Sequence, residues 1–170
     1  MSPRRLVAAD APAYRALMLQ AYAQHPDAFT STLTERATLP LDWWAGRFGE
    51  GDSPDSLVMG AFAGESLVGA AGLSVEPRER LRHKATLYGM VVSAGHRRAG
   101  HGIALVHALL ENARGRPALR VVQLTVTQGN AAAQALYERC GFTCFGVEPL
   151  AVALGDGFVT KVHLSIDLRS

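Results

Sequence analysis

At 170 residues the chain has the length of one domain and enough mass to bury a core, so a single domain over residues 1–170 is expected. Hydrophobic residues make up 48% and charged ones 19%, a balance that excludes a disordered chain. The 17 basic and 15 acidic side chains leave no bulk charge to attract nucleic acid.

Taken in chain order, Arg5-Leu6-Val7-Ala8 is a short strand candidate. Asp10 reads as a helix N-cap with Pro12 in the first turn, and Tyr14, Leu17, Met18 and Ala21 fall on one face. His25-Pro26-Asp27 ends that helix, and a second is expected from Pro40 to Phe48 with Leu41, Trp44 and Phe48 on one side. Residues Leu57 to Ala63 and Ser66 to Glu76 read as strands joined by a tight Gly64-Glu65 hairpin. The β-branched and aromatic run Ala85 to Val92 is the central strand. Ile103, Leu105, Val106, Leu109 and Leu110 then recur at helical spacing up to Gly115 and Pro117. A strand from Val121 to Thr127, a helix from Asn130, and strands Phe142 to Val147 and Phe158 to Leu168 follow, with a turn at Gly155-Asp156-Gly157. This alternation predicts a mixed α/β sheet with helices on both faces.

The loop Arg97-Arg98-Ala99-Gly100-His101-Gly102-Ile103 joins the central strand to the helix after it. A helix N-terminus presents unpaired N–H groups and the positive end of its dipole, which together favour an anion. Gly100 and Gly102 let a phosphate approach the backbone, and Arg97, Arg98 and His101 surround it. No Gly-Lys-Ser/Thr ends the loop, so it is not a Walker loop, and its late position does not suit a Rossmann fingerprint. Taken alone, the loop is equally consistent with an ordinary strand-to-helix turn carrying solvated arginines.

The next segment narrows the reading. Gly129-Asn130-Ala131-Ala132-Ala133-Gln134-Ala135-Leu136-Tyr137-Glu138-Arg139-Cys140-Gly141-Phe142 resembles the asparagine, leucine-tyrosine and glycine-phenylalanine signature of the GNAT N-acetyltransferases. Val91 to Gly102 resembles that family's acetyl-CoA motif, Arg/Gln-x-x-Gly-x-Gly/Ala. The resemblance is sharp from Thr86 to Val147. It implies a mostly antiparallel mixed sheet flanked by helices on both faces, and transfer of the acetyl group of acetyl-CoA to a primary amine by direct attack.

On that resemblance the N–H groups from Arg98 through Ala99, Gly100, His101 and Gly102 to Ile103 hold the pyrophosphate. The pantetheine arm pairs with the backbone of Met90, Val91 and Val92, as an added strand would. The N–H of Val91 polarises the thioester carbonyl. Tyr137 protonates the departing thiolate. Asn130 bonds the pantetheine arm, caps its own helix, or does both.

The general base is not assigned, because Thr86 and Thr125 stand where relatives place glutamates. Glu35, Glu76, Glu79, His83 and His163 are candidates acting through water, each equally readable as a surface or sheet residue. His25, Phe29, Trp43, Trp44 and Tyr88 suggest an aromatic wall for a small-molecule acceptor, although core packing would also account for such rings. A protein or peptide amine, a non-catalytic acetyl-CoA-binding module and a nucleotide-binding protein are the alternatives, and the acyl length stays open.

The two cysteines, Cys140 and Cys144, offer no zinc site or disulfide framework, so no metal is expected. No apolar run reaches the ~20 residues of a membrane span and no signal peptide is visible, so no membrane partner and a cytoplasmic location are expected. A homodimer is expected by family habit.

Overall fold

Seven strands form one sheet in the computed structural model, which describes residues 2–170. Their ranges are β1 (Arg4–Arg5), β2 (Ser56–Ala63), β3 (Ser66–Val75), β4 (Lys84–Val92), β5 (Val121–Thr127), β6 (Thr143–Leu154) and β7 (Gly157–Asp167). The helices are α1 (Ala11–Gln24), α2 (Leu33–Ala37), α3 (Leu41–Gly46), α4 (His101–Arg114) and α5 (Ala131–Arg139). Across the sheet the order is β1-β2-β3-β4-β5-β7-β6, and every neighbouring pair is antiparallel except β4 and β5. The expected mixed, mostly antiparallel sheet is therefore present.

Two apolar layers cover the sheet. On one face the stripe Leu105, Val106, Leu109, Leu110 and Ala113 of α4 packs on Leu57, Leu73, Leu87 and Leu124. On the other, Tyr14 and Met18 of α1 meet Trp44, Phe48, Val58 and Ala70. Trp44 is fully buried and meets Tyr14 edge-on at 5.8 Å. Replacing it by alanine removes a large core side chain that little else can fill. Trp44→Ala is expected to cost about 3–5 kcal/mol, read as a fall in the urea midpoint at unchanged slope.

Several local expectations need correction. The first strand is Arg4–Arg5, because Ala8–Asp10 already turns as a 3₁₀ segment. Asp10 stands at the N-cap position of α1, but its carboxylate accepts from the Val7 N–H (2.8 Å) and pairs with Arg4 (2.8 Å) instead of capping. In α3, Trp44 and the following Phe48 face the core while Leu41 is exposed. Strand β6 continues past Val147 to Leu154 through an irregularity between Glu148 and Val152. This leaves Phe145, Val147 and Leu150 exposed on an edge strand.

The feature that makes the site lies in β4. Register against β3 shifts between Ala70 and Gly72, so Gly89 and Met90 together oppose Ala71. Gly89 takes φ +62°, a conformation suited to glycine at a bulge. The extra residue reverses the side-chain alternation. Leu87 packs in the α4 layer, Val91 packs in the α1 layer, and Met90 and Val92 return to the α4 side. The bulge also bends the strand. Strands β4 and β5 pair only from Lys84 to Thr86 and from Val121 to Gln123, and beyond that the sheet opens.

Candidate active site

Where β4 and β5 part, a cleft of about 300 Å³ opens, lined by Thr86, Tyr88 and Met90 on one strand and Thr125 and Thr127 on the other. A second cavity of about 700 Å³ runs from Met90 and Val92 to Arg97, Arg98, Gly100, His101, Gly102 and Ile103. Met90, Ala133 and Tyr137 line both. The two cavities thus form one slot from the basic loop to the cleft, with Tyr137 at the junction.

At the loop end, Gly100 is the N-cap of α4 at φ +84°, with open space where a Cβ would point. The first-turn N–H groups of His101, Gly102 and Ile103 have no intrahelical carbonyl to bond. Gly102 plays a different part from the one expected. A Cβ there would meet Leu136 Cδ1 at 2.8 Å, so its smallness serves the approach of α4 to α5. Arg98 adopts φ +65° beside it. Arg97 folds back across the slot, with Nη2 at 2.8 Å from His25 Nε2 and Nε donating to the Val92 carbonyl at 3.2 Å. His25, expected in an acceptor wall, is in this way tied to the loop.

The backbone of β4 corrects one expectation. The Ser93 N–H donates to the Val68 carbonyl directly opposite at 2.8 Å, and the register continues through Gly69 with Val92 and Ala70 with Val91. Bonded and unbonded pairs alternate along an antiparallel ladder, so Val91 exchanges its backbone bonds with Ala70. Its N–H is turned to β3, and Val91 lines neither cavity. It is not the free donor expected to polarise a carbonyl. Val92 faces the opposite, open edge, as the Arg97 contact to its carbonyl shows. Met90 borders both cavities.

Tyr137 lies on α5 with its ring packed edge-on against Phe142 at 5.9 Å. Burial pushes its pKa above the usual tyrosine value, so the phenol keeps its proton at neutral pH. No hydrogen bond to that hydroxyl is formed by the described residues. Asn130 caps α5, its Oδ1 accepting from the Ala133 N–H at 3.2 Å while its side chain also borders the cleft. The cap leaves the amide NH₂ free to donate.

Thr86 and Thr125 both line the cleft, and no carboxylate does among the described residues. Glu35, Glu76, Glu79, His83 and His163 lie outside it, and His163 is held by Glu148 at 2.8 Å. The aromatic wall divides: Phe29 and Tyr88 line the cleft, Trp44 belongs to the core, and Trp43 lies beneath Arg36 and Arg47. Sequence reading missed Arg36, Arg47 and Lys161, all of which line the cleft. Lys161 donates to Thr127 Oγ1 at 3.0 Å, and burial lowers its pKa while the charge of Asp27 opposes that shift. The signal available for Lys161 was its phase, opposite to the apolar Val162, Leu164 and Ile166 of the same strand.

The site is thus a slot along a strand edge, joining a basic loop at a helix N-terminus to a cleft. Residues 15–142 match the Acetyltransferase (GNAT) family, and the chain belongs to that family. The chain is 34% identical over 143 residues to the mycothiol acetyltransferase of Brachybacterium faecium, covering 81% of this chain and 39% of that protein's length. The fold is shared with yncA of Salmonella typhimurium, solved with its cofactor acetyl-CoA (TM-score 0.81, 20% identity, 100% of this chain and 95% of that one). It is also shared with a ribosomal-protein-alanine N-acetyltransferase of Brucella melitensis (TM-score 0.80, 24% identity, 98% and 99% covered).

Proposed function

We propose that the chain, acting as one domain over residues 1–170, acetylates the primary amine of a small molecule by direct attack at the β4–β5 opening. The observation that carries this reading is the continuous slot with Tyr137 at the junction of its two cavities. The curated relative's name, mycothiol acetyltransferase, supports a small acceptor. The residues fit the co-substrate: a basic loop at a helix N-terminus, space above Gly100, and a strand edge at Met90 and Val92 that pairs with no other strand, where Arg97 would release the Val92 carbonyl to the arriving arm.

Acetyl-CoA supplies the activated acetyl group and a thiol leaving group. The first-turn N–H groups of His101, Gly102 and Ile103, with Arg98 and His101 beside them, hold its diphosphate. Met90 and Val92 pair with the amide-bearing arm, and Asn130 donates to it from the other wall. Met90, the strand residue at the junction, takes over the polarising role expected of Val91. Tyr137 holds a proton for the departing sulfur. A second copy of the chain pairing along β6 is part of the proposal, supported by the exposed Phe145, Val147 and Leu150.

With no carboxylate on the cleft wall, the amine's proton passes to water and the rate follows the fraction of neutral amine. CoA-thiol release over about pH 6 to 10 is expected to show kcat/KM rising toward the pKa of the amine. Because burial raises the Tyr137 pKa, no falling limb from that phenol belongs in this range. A falling limb below about pH 9 that disappears in Tyr137→Phe would mean that the phenol titrates there and would contradict its burial-raised pKa.

A further inference from the structure

The cleft wall is charged on one side only. Arg36, Arg47 and Lys161 line it, no Asp or Glu does, and none of the three forms a salt bridge among the described residues. The two guanidinium groups are held by ring stacking. Arg36 lies 4.4 Å and Arg47 5.0 Å from the Trp43 ring, and Arg47 also lies 4.5 Å from the Tyr88 ring. Stacking fixes the planes and leaves the N–H edges to bond something else. Arg36 Nη2 reaches Ser31 Oγ at 2.7 Å, yet Arg36 Nε and Arg47 Nη1 are buried with no partner. A buried, unpaired guanidinium N–H is costly, and a planar anion is the group whose geometry matches it.

We propose that the acceptor is an amino carboxylate, a free amino acid or a short analogue of one, whose carboxylate is bound by Arg47 and Arg36. This rests on the reading of the cleft as the acceptor site. A cleft of about 300 Å³ suits a molecule of that size. Three positive charges disfavour polyamines and lysine-rich peptides by like-charge repulsion. The same charges lower the pKa of a bound ammonium, which eases loss of its proton where no carboxylate base is present. One arrangement thus accounts for the arginine nitrogens left without a partner, Arg36 Nε and Arg47 Nη1, and for the missing base.

The test is CoA-thiol release from acetyl-CoA with the free amino acids, each beside its carboxamide, and with butylamine. At least one amino acid is expected to exceed its own amide in kcat/KM by roughly 10- to 100-fold, the worth of a charge-assisted hydrogen bond. Arg47→Gln and Arg36→Gln are each expected to shrink that ratio by raising KM with kcat little changed, and Arg47→Lys to restore part of it. Acetyl-CoA affinity and melting temperature report whether each variant is folded. If Arg47→Gln does not fold, Arg36→Gln and the wild-type comparison decide. Turnover confined to amides or butylamine, a panel in which nothing is acetylated, or a ratio unchanged in every folded variant overturns the proposal. Failure to bind acetyl-CoA is a different result and overturns the proposed function instead.

Discussion

Tyr137→Phe is expected to lower kcat by about 10²–10³-fold while leaving acetyl-CoA affinity within about threefold. The substitution deletes one hydroxyl, which has no partner among the described residues, and keeps the ring packed on Phe142. Removing a polar group that satisfies nothing else is close to neutral for folding, so the melting temperature should barely move. The lost function is the proton held for the leaving sulfur. Without it the thiolate departs unprotonated, and the cost falls on the chemical step. A kcat within about threefold of wild type would make Tyr137 a packing residue and return the acid role to solvent.

Gly100→Glu is expected to weaken acetyl-CoA binding by more than about 10²-fold. Two effects add. At φ +84° any side chain is strained, which costs on the order of 1–2 kcal/mol. A carboxylate at this helix N-terminus also occupies the place a diphosphate would take and repels it. Gly100→Ala separates the two, because the space above Gly100 is open and alanine brings only the backbone strain. Titration calorimetry should show alanine within about tenfold of wild type and glutamate far weaker. Equal losses in both would mean that backbone shape alone matters and that no anion binds there.

Features encoded within one short segment were legible before the fold was known. Val121 to Thr127 is the observed β5, and the helix from Asn130 begins with the expected cap. The parting of β4 and β5 is present as pairing confined to three positions on each strand. What escaped depends on a single inserted residue or on distant parts of the chain. Glycine inside a strand is the usual mark of a bulge. Gly89 therefore signalled that alternation fails between Leu87 and Val91, whereas the free donor was placed at Val91 on the family resemblance. Gly102 was read from its loop alone, whereas its neighbour Leu136 lies on another helix. The positive wall assembles Arg36, Arg47 and Lys161 from three separate segments, which no local pattern could join.

The most direct test is calorimetric titration of the wild-type protein with acetyl-CoA, with ATP and NAD as controls. Micromolar binding of acetyl-CoA together with negligible binding of ATP and NAD is the expected result. It requires both the loop and the open edge at Met90 and Val92 to contribute, because phosphate contacts alone would accept all three ligands. No binding of acetyl-CoA, or equal binding of all three, would contradict the slot as its site.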